Sequence, residues 1–227
     1  MAKLVADSSG LILDGLMGYE AQIAGVVDHV PRQFLKNGIV RFLKKRSAGK
    51  IVKKRQEIFE GLADLKLQVR FINGGGTGSL QGPSEDPHLT EVTVGSDFFN
   101  PHLFDKYKDF SLLPAVGFAI EIVRRPRESV YTCLGVGYVA SGSVGKDKWP
   151  EIYLPEGAKL IPNEGVGEVQ TPVSYDGSLL LSPGDPIIFR HSKAGELCER
   201  FKHLHVIEQG EVTHKILTYR GDGQCFL

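Results

Sequence analysis

In LQVRFINGGGTGS, Leu67 to Ser79, apolar and polar residues alternate and then run straight into a glycine cluster. Alternation is the pattern of a half-buried strand. Glycines directly after a strand let successive backbone N–H groups turn toward one concavity. Thr77 and Ser79 add hydroxyl donors, so Gly75, Gly76, Thr77, Gly78 and Ser79 make a loop suited to a phosphate. No lysine follows where a P-loop carries one, and Ser79 stands where a dinucleotide-binding fingerprint has its third glycine. A glycine-rich turn is also a common structural device. Its place at the C-terminal end of a strand in an α/β array favours phosphate, because barrel enzymes bind that group there.

Upstream, LILDGLM (Leu11 to Met17) reads as a second strand. Between the two, Leu35, Ile39, Phe42, Ile51, Ile58 and Leu62 recur near helical spacing over Phe34 to Asp64, with breaks expected at Gly38 and Gly49. Downstream, TEVTV (Thr90 to Val94) reads as a strand and Pro101 to Tyr107 as a brief helix with proline at its start. After about Leu113 the texture becomes AVGFAIEIV, VYTCLGVGYVASG, EIYLP, DPIIFRH and KHLHVIEQGEVTHKIL, short β-rich runs punctuated by Gly, Pro and Asp. The fold class is therefore α/β plus all-β, with an α/β part over residues 1–113 and a β domain over 114–227.

The chain has 227 residues, 27 Lys+Arg against 27 Asp+Glu and a formal net charge of +0, so no global field selects a polyanionic partner and nucleic acid is not expected. Ten Lys or Arg and no acid lie between Arg32 and Arg55. Interleaved with a helical apolar stripe, they read as a solvated outer face. Cys133, Cys198 and Cys225 are far apart and include no CxxC, which suits a reducing compartment better than a disulfide framework or a structural zinc site. No apolar run approaches the roughly 20 residues of a membrane span, and the start lacks the order of a signal peptide. The expected setting is cytoplasmic, without a membrane.

In GDPIIFRHSKAGELC (Gly184 to Cys198), His191 and Lys193 stand two apart at the end of an apolar strand and would share a face if the strand continued. An ammonium beside an imidazole disfavours its protonation and keeps it available as a base, whereas a histidine that merely ends a strand is the plainer reading. Cys198, His203 and His205 offer zinc-like donors, but five residues separate the Cys from the first His and no fourth ligand is near, so alternating surface histidines are expected. The nearest serine-hydrolase candidate, Gly142-Ser143-Val144-Gly145, is not GxSxG.

Taken in order, GLMGYEAQIAG (Gly15 to Gly25), FINGGGTGS (Phe71 to Ser79), TEVTVGS (Thr90 to Ser96), GVGEVQTP (Gly165 to Pro172), GDPIIFRHSKAGELCERF (Gly184 to Phe201) and TYRGDGQCF (Thr218 to Phe226) resemble the fold-type III pyridoxal-phosphate enzymes. Within these the chain is most similar to the D-threonine aldolase and D-serine dehydratase group, above all to proteins described as amino acid deaminase/aldolase. The resemblance runs over essentially the whole sequence. It implies part of an alanine-racemase-like (β/α) barrel that binds pyridoxal 5'-phosphate, followed by a D-serine-dehydratase-like β domain. It implies that Gly75, Gly76, Thr77, Gly78 and Ser79 cradle the cofactor phosphate, and that Tyr19 and Glu20 line the pocket at the end of a barrel strand. His191 falls where the family has a metal-ligating histidine in an HxC or HxD pair, while the second position here is Lys193, whose ammonium repels a divalent cation. His191 and Lys193 are thus the catalytic candidates, with no metal expected and His191 its ligand if one is present.

The implied reaction is retro-aldol cleavage or dehydration and deamination of a β-hydroxy amino acid of the D-threonine or D-serine type. His191 would face the β-hydroxyl. A racemase of the same fold, or a non-catalytic phosphate-binding or scaffold fragment, is the alternative. The family's imine-forming lysine lies on the first barrel strand, and nothing here corresponds to it. At roughly 31 residues per βα unit, residues 1–113 hold under half of an eight-unit barrel. The expectation is the C-terminal portion of a lyase, inactive alone, whose full-length parent acts on a small amino acid as a homodimer.

Overall fold

The computed structural model describes residues 1–21, 23–79, 86–142 and 145–224. These form two compact units, Met1–Phe98 with Phe104–Leu112, and Phe99–Leu103 with Leu113–Leu227.

The first unit opens with α1 (Ala2–Ala6), followed by β1 (Gly15–Gly18), α2 (Phe34–Asp64), β2 (Phe71–Gly74) and β3 (Glu91–Val92). The three strands form one parallel sheet in the order β1-β2-β3. Parallel neighbours need a long crossover, and α2 provides it between β1 and β2. Both outer strands are shorter than the sequence pattern suggests. Leu11 and Ile12 precede the first β1–β2 register pair, Gly15 with Phe71, and remain exposed.

α2 runs without interruption through Gly38 and Gly49, so the breaks expected there do not occur. Each glycine costs a helix about 1 kcal/mol relative to alanine, a penalty the strong helix formers around it can carry. Asn37, on the first turn, accepts the Val30 N–H (3.1 Å) and donates to the Val30 carbonyl (2.7 Å), anchoring the entering chain. At the other end Lys66 adopts φ 55°, its N–H reaching Ala63 O (2.9 Å) and that of Leu67 reaching Leu62 O (2.9 Å), the double bond of a Schellman stop. A Cβ added at Gly38 or Gly49 meets nothing within 4 Å. Gly38→Ala and Gly49→Ala are each expected to stabilise the chain by about 0.5–1 kcal/mol, read as a higher denaturant midpoint at constant slope.

The second unit holds a six-stranded antiparallel sheet in the order β6-β9-β4-β5-β8-β7 and a separate hairpin of β10 and β11. Its strands are β4 (Phe118–Arg127), β5 (Val130–Leu134), β6 (Glu151–Leu154), β7 (Lys159–Leu160), β8 (Gln170–Ser174), β9 (Pro186–Arg190), β10 (His203–Glu208) and β11 (Glu211–Leu217). Side chains alternate along each strand, so Ile122, Cys133, Val173, Ile187 and Phe189 meet in one solvent-free core. Phe118 stacks on Phe189 with centroids 5.5 Å apart. The strand pattern did not include β7 and β8, nor α3 (Ala194–Arg200), which delivers Leu197 into that core.

Candidate functional site

β1 and β2 end at the same level, with Gly18 and Gly74 as register partners. Beyond Gly74 the chain turns through Gly75, whose φ of 84° is open to glycine and strained for other residues. A 3-10 turn, Thr77–Ser79, then closes with the Ser79 N–H on Gly76 O (2.9 Å). Thr77 and Ser79 are buried. Two tyrosines wall the loop. A Cβ at Gly76 would lie 3.1 Å from the Tyr19 ring, and one at Gly78 would lie 2.7 Å from the Tyr107 hydroxyl. Tyr19 follows β1 and is itself 57% exposed. Burial, and then the charge of Asp28, push the Tyr107 phenol up, so it stays a protonated donor.

Behind the loop lies a buried charge cluster that joins Glu20, expected at the pocket, to Arg55 and Asp86, which sequence reasoning had placed in solvent or passed over. Arg55 of α2 donates to the Gly18 carbonyl (2.7 Å) and Asp86 (3.1 Å), and forms an ion pair with Glu20. The other oxygen of Glu20 accepts the Ser79 hydroxyl (3.1 Å). About three turns earlier on α2, Lys44 pairs with Asp28 (2.7 Å) and sits 4.1 Å from the Tyr107 centroid, while Arg41 donates to the Asp28 carbonyl (2.9 Å). The basic run is therefore not one solvated outer face. Asn37, Arg41, Lys44 and Arg55 face inward at helical spacing, whereas Leu35, Ile39 and Phe42 are exposed. A cavity of about 450 Å³ opens beside Gly78 and Ser79, lined among others by Glu20, Arg41, Lys44 and Arg55. A glycine turn at a strand end, hydroxyls at Thr77 and Ser79 and a cavity beside Gly78 and Ser79 that Arg41 and Lys44 also line fit a phosphate ester.

In the second unit β9 stops at Arg190, so His191 and Lys193 do not continue a strand face. Lys193 stands at the N-cap, just before α3, and its ammonium donates to the Ser141 carbonyl (2.8 Å) and hydroxyl (3.3 Å). The His191 ring is buried edge-on to Phe99 at 6.1 Å, and neither nitrogen has a partner among the described residues. Its pKa is pushed down to about 4, chiefly by burial and then by His102 and Arg190, with Glu196 opposing. Lys193, expected to exert this effect, is not among the causes. The unfolded chain takes up this proton near the ordinary 6.5 and the folded one only near 4. The contribution of this ring to stability is thus complete above pH 6.5 and is lost as pH drops toward 4, by about 3 kcal/mol in all. Urea titrations across that window should show this slope, and His191→Leu should flatten it.

Around His191 the donors do not suit a divalent cation. His102 is occupied by the Trp149 carbonyl (2.7 Å) and Glu151 (3.3 Å), and Lys193 is cationic. Among the described residues no group of three or more His, Cys, Asp or Glu is placed to hold a metal. His203 and His205 lie exposed on β10, and Cys198 is buried in α3. Burial raises the thiols, that of Cys133 to about 11. Ser143 and Cys225 fall outside the described residues.

The architecture matches solved structures over nearly the whole chain. D-threonine aldolase from Filomicrobium marinum superposes with a TM-score of 0.78 at 17% identity, over 97% of this chain and 57% of that one. D-threo-3-hydroxyaspartate dehydratase from Delftia sp. HT23 gives 0.64 at 13% identity, over 90% of this chain and 55% of the other. Alanine racemase from Clostridium difficile 630 gives 0.53 at 13% identity, over 93% and 58%. No family model and no curated protein matches the sequence. The chain has the fold these enzymes share, the alanine-racemase-like fold, and spans a little over half of their length. No helix among the described residues is long and apolar enough to cross a membrane.

Proposed function

We propose that this chain is the C-terminal portion of a pyridoxal-phosphate-dependent amino acid lyase. The reaction is retro-aldol cleavage or dehydration of a β-hydroxy amino acid of the D-threonine or D-serine type. The observation that carries this reading is the loop after β2, where Gly75, Gly76, Thr77, Gly78 and Ser79 turn at a strand end against Tyr19 and Tyr107. These residues would hold the cofactor phosphate. When bound, the cofactor draws electrons from the amino acid Cα. His191, kept neutral by burial with both ring nitrogens unengaged among the described residues, would accept or hold a proton at one of them. Lys193 supplies a fixed positive charge and no metal ligand, so the reaction would proceed without a divalent ion. The likeness in fold to an aldolase and a dehydratase supports this choice of reactions.

Equilibrium binding of pyridoxal phosphate to the 227-residue chain tests the reading. Binding competed by inorganic phosphate is expected, weakened at least about tenfold in Gly78→Ala and unchanged by chelator. Equal affinity in wild type and variant would remove the loop from the site. Since no described lysine takes the part of the family's imine-forming residue, the bound chain should show no borohydride-reducible adduct.

A further inference from the structure

Gly18 and Gly74 end adjacent parallel strands, and neither sits at a positive φ, so backbone conformation does not require glycine at either position. What a side chain would meet there is Arg55. A Cβ at Gly74 would stand 2.6 Å from its Nη2 and 3.1 Å from its Cζ, and one at Gly18 would stand 3.4 Å from its Nε. The guanidinium thus lies flat on the bare C-terminal rim of β1 and β2, directly under the first glycine of the loop. From there it reaches three segments: the end of β1 through the Gly18 carbonyl, Asp86 beyond the loop, and Glu20. Glu20 in turn holds the Ser79 hydroxyl, the last side chain of the loop.

We infer that Arg55 is a positioning residue for the phosphate loop, acting through Glu20 on Ser79. The inference rests on the loop being the phosphate site. Two physical effects support it. Arg55 neutralises a carboxylate that would otherwise face an incoming phosphate group, and its planar guanidinium holds one oxygen of Glu20 on Nη2 while Nη1 reaches Asp86, a span a single ammonium does not offer. Glu20, so oriented, offers the Ser79 hydroxyl the nearer of its two acceptors, at 3.1 Å against 3.4 Å for the Gly76 carbonyl. The geometry of the loop is therefore set from α2, a helix that contributes no residue to the loop itself.

The test compares wild type with Glu20→Gln, which keeps an acceptor for Ser79 but abolishes the ion pair, and with Ser79→Ala. Both are small changes that leave Arg55 itself in place, and denaturant titration shows the folded fraction in each. Two quantities are read: amide hydrogen exchange across residues 75–79 of the free chain, and affinity for pyridoxal phosphate relative to pyridoxal, which lacks the phosphate. In Glu20→Gln, loop exchange is expected to quicken about tenfold while exchange in β9 stays the same. Affinity for pyridoxal phosphate should fall about tenfold, with that for pyridoxal unchanged. Unchanged loop exchange, or an equal loss for both ligands as a merely structural residue would give, overturns the inference and leaves the site standing. A wild-type chain that binds pyridoxal and pyridoxal phosphate alike overturns both.

Discussion

Replacing Arg55 with methionine is expected to destabilise the chain by about 3–5 kcal/mol. The side chain is nine-tenths buried, and its removal leaves Glu20 and Asp86, themselves almost wholly enclosed, without a cation. Paired charges in such a place gain little over an apolar set of the same shape, because their desolvation offsets their attraction. An isolated pair of carboxylates has no such offset. The penalty is consequently a property of what remains, which leads to a sharper form of the prediction. Arg55→Met combined with Glu20→Gln and Asp86→Asn should recover much of the loss, giving strongly non-additive values in a denaturant-based mutant cycle. Additive losses would show that Arg55 contributes mainly through packing.

A loss of similar size, about 3–5 kcal/mol, is expected for Phe189→Ala in the second unit. Phe189 has no exposed surface, stacks on Phe118, and lies on β9 between β4 and β6. Gly117 shows how closely the backbone packs there, since a Cβ on it would come within 2.9 Å of the Phe189 carbonyl oxygen. With so little freedom to collapse, the cavity left by the ring would stay open. Leu180→Ala, at a side chain 95% exposed, is the control, expected within about 0.5 kcal/mol of wild type. The two are distinguished by calorimetry or urea titration.

The parts of the molecule that follow local rules were legible from its residues. Alternation in LQVRFIN marked β2, the glycine cluster marked its turn, and the change of texture after Leu113 marked the antiparallel sheet. The inward side of α2 was not legible, because hydrophobic periodicity assumes that apolar residues face in. Here Arg41, Lys44 and Arg55 do, held by acids from distant segments, while Leu35, Ile39 and Phe42 do not. Nothing in the spacing of ten basic residues singles out the one that is buried. A usable signal existed in Gly18 and Gly74, two strand ends with no turn to justify glycine, which implies a large flat group lying on them. α3 was hidden for another reason: seven residues between strands are too few to show a helical period, and it buries only the adjacent pair Leu197 and Cys198. His191 was singled out by its place at the end of a strand, but the neighbour credited with tuning it was wrong, since burial outweighs any single charge around the ring.

The bare rim under Arg55 also bears on how related chains can diverge. Gly74 and Arg55 occupy one volume between them, so neither can change size independently: an alanine at Gly74 displaces the guanidinium, whereas one at Gly18 would only touch its Nε at 3.4 Å. In an alignment of relatives Gly74 and Arg55 should covary, together with the acids at Glu20 and Asp86. Chains lacking the arginine should show a side chain at the end of β2.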